Sequence, residues 1–151
     1  MGKIIALVNQ KGGVGKTTSS IILSASLGVL KKKVLIVDLD PQGNTTTGIG
    51  IDKGEIQKSV YDLLIDSANI QEVMIKTNFK NLYALPATIN LAGADIELME
   101  KSKNSQNFIK NAQLKQQLDK IKNDLKPRSN IKYLMILKIL QLMELQQKKN
   151  Y

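Results

Sequence analysis

Gln10-Lys11-Gly12-Gly13-Val14-Gly15-Lys16-Thr17-Thr18 is the stretch that decides how this chain of 151 residues folds. Glycines at 12, 13 and 15 let the backbone turn with its N–H groups pointing inward. A helix beginning at Lys16 adds its positive end to the same point, a concavity suited to a di- or triphosphate. Against the phosphate-loop pattern G-x-x-x-x-G-K-[ST], Gln10 replaces the first glycine and a lysine follows it. Lys16 would set an ammonium on the β- and γ-phosphates, and the Thr17 hydroxyl would ligate Mg²⁺, which prefers hard oxygen donors.

The flanks supply the context such a loop requires. Ile4–Val8 is a continuous apolar run that reads as a strand buried on both faces, and not as a signal peptide. Lys16–Leu30 is small and aliphatic enough for a helix, and Lys31-Lys32-Lys33 breaks it. Val34–Val37 reads as a second buried strand ending in the turn cluster Asp38-Leu39-Asp40-Pro41-Gln42-Gly43-Asn44. Strand, helix and strand in this order form a βαβ unit, which implies a parallel sheet with flanking helices. Asp38 and Asp40 close its second strand, at the sheet edge where ligands collect. A carboxylate there can hold a Mg²⁺ water or orient an attacking water in phosphoryl transfer.

Farther on, Ser59 and Asn69 are expected to cap helices over Val60–Ile65 and Ile70–Lys76. Leu82–Leu85 reads as a third strand, stopped by Pro86, and Leu91–Leu125 as mostly helical with a break near Ser102–Ser105. Lys126-Pro127-Arg128-Ser129-Asn130 then interrupts the chain, and the apolar Ile131–Leu145 follows neither a period of two nor one of 3.6.

Composition narrows the chemistry. With no cysteine and no histidine, disulfides, thiolate zinc sites, cysteine nucleophiles, iron–sulfur clusters and imidazole bases are all excluded. The most apolar stretch, Tyr133–Leu145, is 13 residues long and contains Lys138, short of the roughly 18–20 that a bilayer needs, so a cytoplasmic protein without membrane contact is expected. The formal charge of +9 is unevenly placed: residues 1–100 hold 10 basic and 10 acidic side chains, whereas residues 101–151 hold 12 basic and 3 acidic ones.

Lys11–Thr18 resembles the deviant Walker A motif, and Val37–Asn44 the Walker A′ and switch I segment, of the ParA/Soj partition ATPases. Leu85–Asp95 is similar to a further stretch of that family. The resemblance covers residues 1 to about 125 and implies a P-loop NTPase domain that uses ATP and Mg²⁺. It also implies monomers that close around ATP into a sandwich homodimer, bind DNA non-specifically, and release it when a ParB-type partner stimulates hydrolysis, with nucleoid association as the outcome. Carried over, Lys11 would reach the nucleotide of the opposite subunit, and Lys16 would hold the phosphates. Thr17 would ligate Mg²⁺, Thr18 would lie near the α-phosphate, and Asp40 would position the hydrolytic water; beside these, Gly12, Gly13, Val14 and Gly15 line the loop, and Asp38 is a candidate metal contact by its place at the end of the second strand.

The family carries a strand ending in Asp-x-Pro-Pro, the Walker B or switch II element, where this chain has residues 126–137, and no Asp-x-Pro-Pro occurs in it. Residues 126–151 are therefore expected to be an atypical tail, from truncation or a shifted reading frame, leaving the sheet incomplete and the site weak in nucleotide binding and poor in turnover. A short paralogue in which Ile131–Leu145 substitutes for the missing strand or makes a partner helix is the milder alternative. Two further functional alternatives are an inactive fragment that pairs with a full-length relative, and a non-enzymatic nucleic-acid binder acting through the basic C-terminal third.

Overall fold

The computed structural model describes residues 3–9, 11–65, 67–94, 97 and the backbone of 131–137. Strand β1 (Lys3–Leu7) runs into the glycine loop, which opens helix α1 (Lys16–Val29). Strand β2 (Lys33–Asp38) follows, then α2 (Asn44–Gly48), α3 (Val60–Leu64), α4 (Ile70–Val73), β3 (Ile75–Lys76), β4 (Leu82–Leu85) and β5 (Ile131–Leu137), with 3-10 turns at Lys53–Glu55 and Ile89–Gly93.

The five strands form one sheet in the order β1-β5-β2-β4-β3. All neighbours are parallel except β3, which pairs antiparallel with β4. The expected gap in the sheet is filled: Ile131–Leu137 lies between β1 and β2, with Leu137 level with both Leu7 and Asp38. A continuous apolar run with no clean period is what an internal parallel strand requires, because both of its faces are covered. The backbone of β1 is therefore paired along that side by β5. The Asp-x-Pro-Pro sequence remains missing, and the helical reading of Leu91–Leu125 falls almost wholly outside the described residues.

Alternate residues of β2 feed two cores. Leu35 and Val37 pack with Val60, Leu63, Leu64, Ile70, Val73 and Leu85, beneath α3 and α4. Val34 and Ile36 pack on the other face with Ile49, Leu82 and Ala84, against Ile21 and Leu27 of α1. Helix α1 presents Ser20, Ser24 and Gly28 as its buried residues, a small-residue stripe that lets it lie close to the sheet. It ends where Lys31 adopts a left-handed conformation (φ 60°), its N–H bonded to the Gly28 carbonyl at 3.1 Å.

Strand β1 departs from expectation. Its residues are exposed or half-buried, with Ile4 44% exposed, because it occupies the edge of the sheet and no described element beyond it covers its faces. The caps at Ser59 and Asn69 form as expected, each a reciprocal capping box, with Asp62 and Glu72 respectively. Helix α4 stops at Val73 rather than Lys76, since Ile75 and Lys76 are drawn into pairing with Ala84 and Tyr83.

Candidate functional site

Parallel strands β1, β5 and β2 end at the same level, so the loop after β1 and the turn after β2 share one edge of the sheet. Gly13 (φ 72°) and Gly15 (φ 81°) take left-handed conformations that swing the loop around the N-terminus of α1. Gly15 is the N-cap, no side chain caps the helix, and its first turn carries no acidic residue. The first helical N–H groups therefore face outward without an intrahelical partner, where an anion would complete them. A Cβ placed at Gly12 or Gly13 would meet nothing within 4 Å, which leaves open space beside the loop backbone.

Lys16 curls back across this concavity, its Nζ donating to the Lys11 carbonyl at 2.7 Å. The ammonium is thus held by one weak neutral acceptor that phosphate oxygens would outcompete. Lys16 and Thr17 are half-buried, and Gly12, Gly13, Val14, Gly15 and Thr18 are exposed. Lys11 is exposed too, its own N–H fixed by the Asn9 side chain at 3.0 Å. The loop residues named from sequence are therefore gathered around one open cradle, and the donor set fits a polyphosphate with a hydroxyl available for Mg²⁺.

The two aspartates differ. Asp40 sits in the turn after β2, 7% exposed, with its Oδ1 accepting from the Gln42 N–H at 3.1 Å. Asp38, at the end of β2, is 2% exposed, and its carboxylate takes the Thr46 N–H (2.9 Å) and hydroxyl (2.7 Å) on one oxygen and the Asp40 N–H (3.2 Å) on the other. The carboxylate named from sequence as a metal contact is thus engaged with α2. Among the described residues, no group of three or more acidic side chains is placed to hold a metal ion by itself. Sequence reasoning left Thr46 unremarked; its only signal was the run Thr45-Thr46-Thr47 just after the Gly43 turn.

Burial pushes the Asp38 carboxyl above its ordinary value, outweighing the hydrogen bonds from Thr46 and Asp40 that pull it down; the nearby Asp40 charge adds to the rise. A carboxyl raised in the folded state stabilises the fold in its protonated form, a contribution present at low pH and lost as pH climbs through the folded value. The urea midpoint of the wild type, measured relative to Asp38→Asn, is expected to fall as pH rises from about 4 upward. A flat or rising difference would contradict the burial argument.

Strand, glycine loop, Lys-Thr at the helix start and a crossing to a second parallel strand define the class: a P-loop NTPase fold. The chain matches the AAA_31 family, an AAA domain, over residues 2–132 and belongs to it. It is 56% identical over 99 residues to the sporulation initiation inhibitor protein Soj of Bacillus subtilis, covering 66% of this chain and 39% of that protein. It is 52% identical over 101 residues to the chromosome-partitioning ATPase Soj of Treponema pallidum, covering 67% of this chain and 39% of that one. Among solved structures, cobyrinic acid a,c-diamide synthase of Mycobacterium smegmatis with bound ADP and magnesium superposes with a TM-score of 0.74 at 32% identity, over 90% of this chain and 50% of that one. The septum site-determining protein MinD of Pyrococcus horikoshii, complexed with Mg-ADP, gives 0.68 at 28% identity, over 94% and 51%. The chain thus spans about two fifths of the length of these Soj relatives and half that of the solved chains. Among the described residues, no helix is long and apolar enough to cross a membrane.

Proposed function

We propose that the chain is a partition ATPase of the ParA/Soj type that binds Mg-ATP at the Gly12–Thr18 cradle. The observation that carries this reading is the uncapped N-terminus of α1, set inside a positive-φ glycine loop with the Lys16 ammonium folded over it. Two relatives named Soj and solved neighbours holding ADP with magnesium support it. Lys16 and the loop N–H groups would hold the β- and γ-phosphates, Thr18 would lie near the α-phosphate, and Thr17 would supply the oxygen for Mg²⁺. The metal, when bound, neutralises charge on the phosphates. Asp40 would orient the attacking water from the turn after β2. Lys11, exposed on the rim, would reach the nucleotide of a second copy in an ATP-dependent homodimer on DNA, the state a ParB-type partner would discharge.

Turnover by the isolated chain is expected to be small or undetectable, because no Asp-x-Pro-Pro element follows β5. Two measurements test the whole reading. Calorimetry should show ATP binding that depends on Mg²⁺, and DNA retention should require Mg-ATP. ATP-independent retention that weakens steeply with salt would instead favour simple attraction by the basic C-terminal third. Mg-dependent hydrolysis that disappears in Lys16→Ala would overturn the low-turnover expectation.

A further inference from the structure

We infer that Thr46, braced by Asp38, is a positioning residue that fixes Asp40 at the mouth of the phosphate loop and ties that turn to the end of β4. The role of the site rests on the nucleotide-binding reading above; the tie itself does not.

Thr46 is fully buried, and every polar atom it contributes toward Asp38 and Ala87 is used in a directed chain. Its N–H and hydroxyl both donate to Asp38 Oδ2, at 2.9 and 2.7 Å. The same hydroxyl oxygen accepts from the Ala87 N–H at 3.0 Å. A hydroxyl can play both parts because it is one donor and two acceptor sites on a single atom. Valine matches threonine in shape and would leave the Ala87 N–H unpaired in a buried place, whereas serine would preserve the chain.

The segment held this way is the one that carries Asp40. Asp38 Oδ1 takes the Asp40 N–H at 3.2 Å, so the same carboxylate grips both ends of the 40–46 segment. Within it, the Asp40 carbonyl accepts the Gly43 N–H at 2.8 Å, and Gly43 turns through φ 56° into α2. A Cβ at Gly43 would lie 2.9 Å from the Ala87 carbonyl, so the turn is packed against the residue that Thr46 binds. Lys53 closes the outer side, its Nζ donating to the Gln42 carbonyl at 2.6 Å. The turn is thus bounded by the end of β2, by the chain after β4 and by Lys53, and the Thr46 side chain joins the first two. A change in the position of the chain at Ala87 would reach Asp40 through this hydroxyl.

The test uses nuclear magnetic resonance of the full chain, labelled in the backbone and in the aspartate carboxyls, at one fixed pH. In the wild type, a through-hydrogen-bond coupling from the Thr46 amide nitrogen to the Asp38 carboxyl carbon is expected, and its absence overturns the clamp even if no variant folds. In Thr46→Val, exchange of the Ala87 amide should speed by about tenfold, the equivalent of one hydrogen bond. The Val60 amide, bonded to the Pro86 carbonyl at 2.8 Å, serves as the internal reference. The Asp40 carboxyl and amide resonances should shift in Thr46→Val and return in Thr46→Ser. If Ala87 exchange speeds while the Asp40 resonances stay in place, Thr46 is only a packing residue and the positioning role is wrong. Titrating wild type with Mg-ATP separates the two readings, since unmoved Gly12–Thr18 amides would defeat nucleotide binding while the clamp measurements stand by themselves.

Discussion

Lys16→Ala is expected to weaken Mg-ATP binding by about 10–150-fold while leaving the fold intact. Charge-assisted hydrogen bonds of the kind an ammonium makes to phosphate oxygens contribute about 1.5–3 kcal/mol. Each 1.4 kcal/mol is about a factor of ten in affinity, which sets the range. The stability cost should be within about 0.5 kcal/mol, because the side chain is half-buried and the bond it gives up, to the Lys11 carbonyl, is replaceable by water. Calorimetric titration beside a urea melt reads both quantities. Unchanged affinity would mean that the loop does not bind phosphate through this lysine; a large loss of stability would mean that the lysine is structural.

The largest stability effect is expected at Gly28. A Cβ there would lie 2.0 Å from the Lys80 carbonyl oxygen and 3.3 Å from its carbon, both backbone atoms that cannot swing aside. Replacing a helical glycine by alanine gains about 1 kcal/mol from propensity alone, whereas forcing atoms into a packed interior costs about 1–3 kcal/mol and sometimes more. The clash wins here because the obstructing segment is itself pinned. Asn81, at φ 57°, donates its Nδ2 to the Gly28 carbonyl at 2.9 Å, and its own carbonyl accepts the Val34 N–H at 2.9 Å. Pushing Lys80 away therefore disturbs the start of both β2 and β4. Gly28→Ala should lower stability by about 1–2 kcal/mol net, seen as a reduced urea midpoint with an unchanged slope. A gain of about 1 kcal/mol would show that helix propensity dominates and the contact is loose.

Much of the site could be read from the amino acids because its chemistry is local. Three glycines followed by Lys16 and Thr17 specify a turn, a helix start and a charge without help from distant residues. Ser59 and Asn69 were legible for the same reason, since a capping box closes within four residues. What could not be read depends on partners elsewhere in the chain. Asn44–Gly48 has three threonines and a terminal glycine, poor helix formers, and its short helix is held by Asp38 and Ala87 rather than by propensity. The inward turn of Asp38 has the same origin: only the folded chain shows that Thr46 faces it. The end of α4 was misplaced because pairing with β4 overrides the local preference of Ile75 and Lys76. The apolar run of β1 describes a strand well enough, but its place at the sheet edge is a property of the topology and not of Ile4–Val8.

The insertion of β5 between β1 and β2 also has a consequence for the order in which the molecule is made. Lys3 pairs with Tyr133 and Leu7 with Leu137, and among the described strands β1 has no other neighbour. β2, β4 and β3 can join as soon as they leave the ribosome, since their contacts lie within one continuous stretch. The first strand, emerging earliest, must wait for the last described one, and closing so long a loop slows folding more than it costs stability. The glycine loop hangs from β1, so the phosphate cradle written before α1 is finished only when Ile131–Leu137 arrives. A nascent chain stopped before Ile131 would carry the whole motif and lack the strand that anchors it.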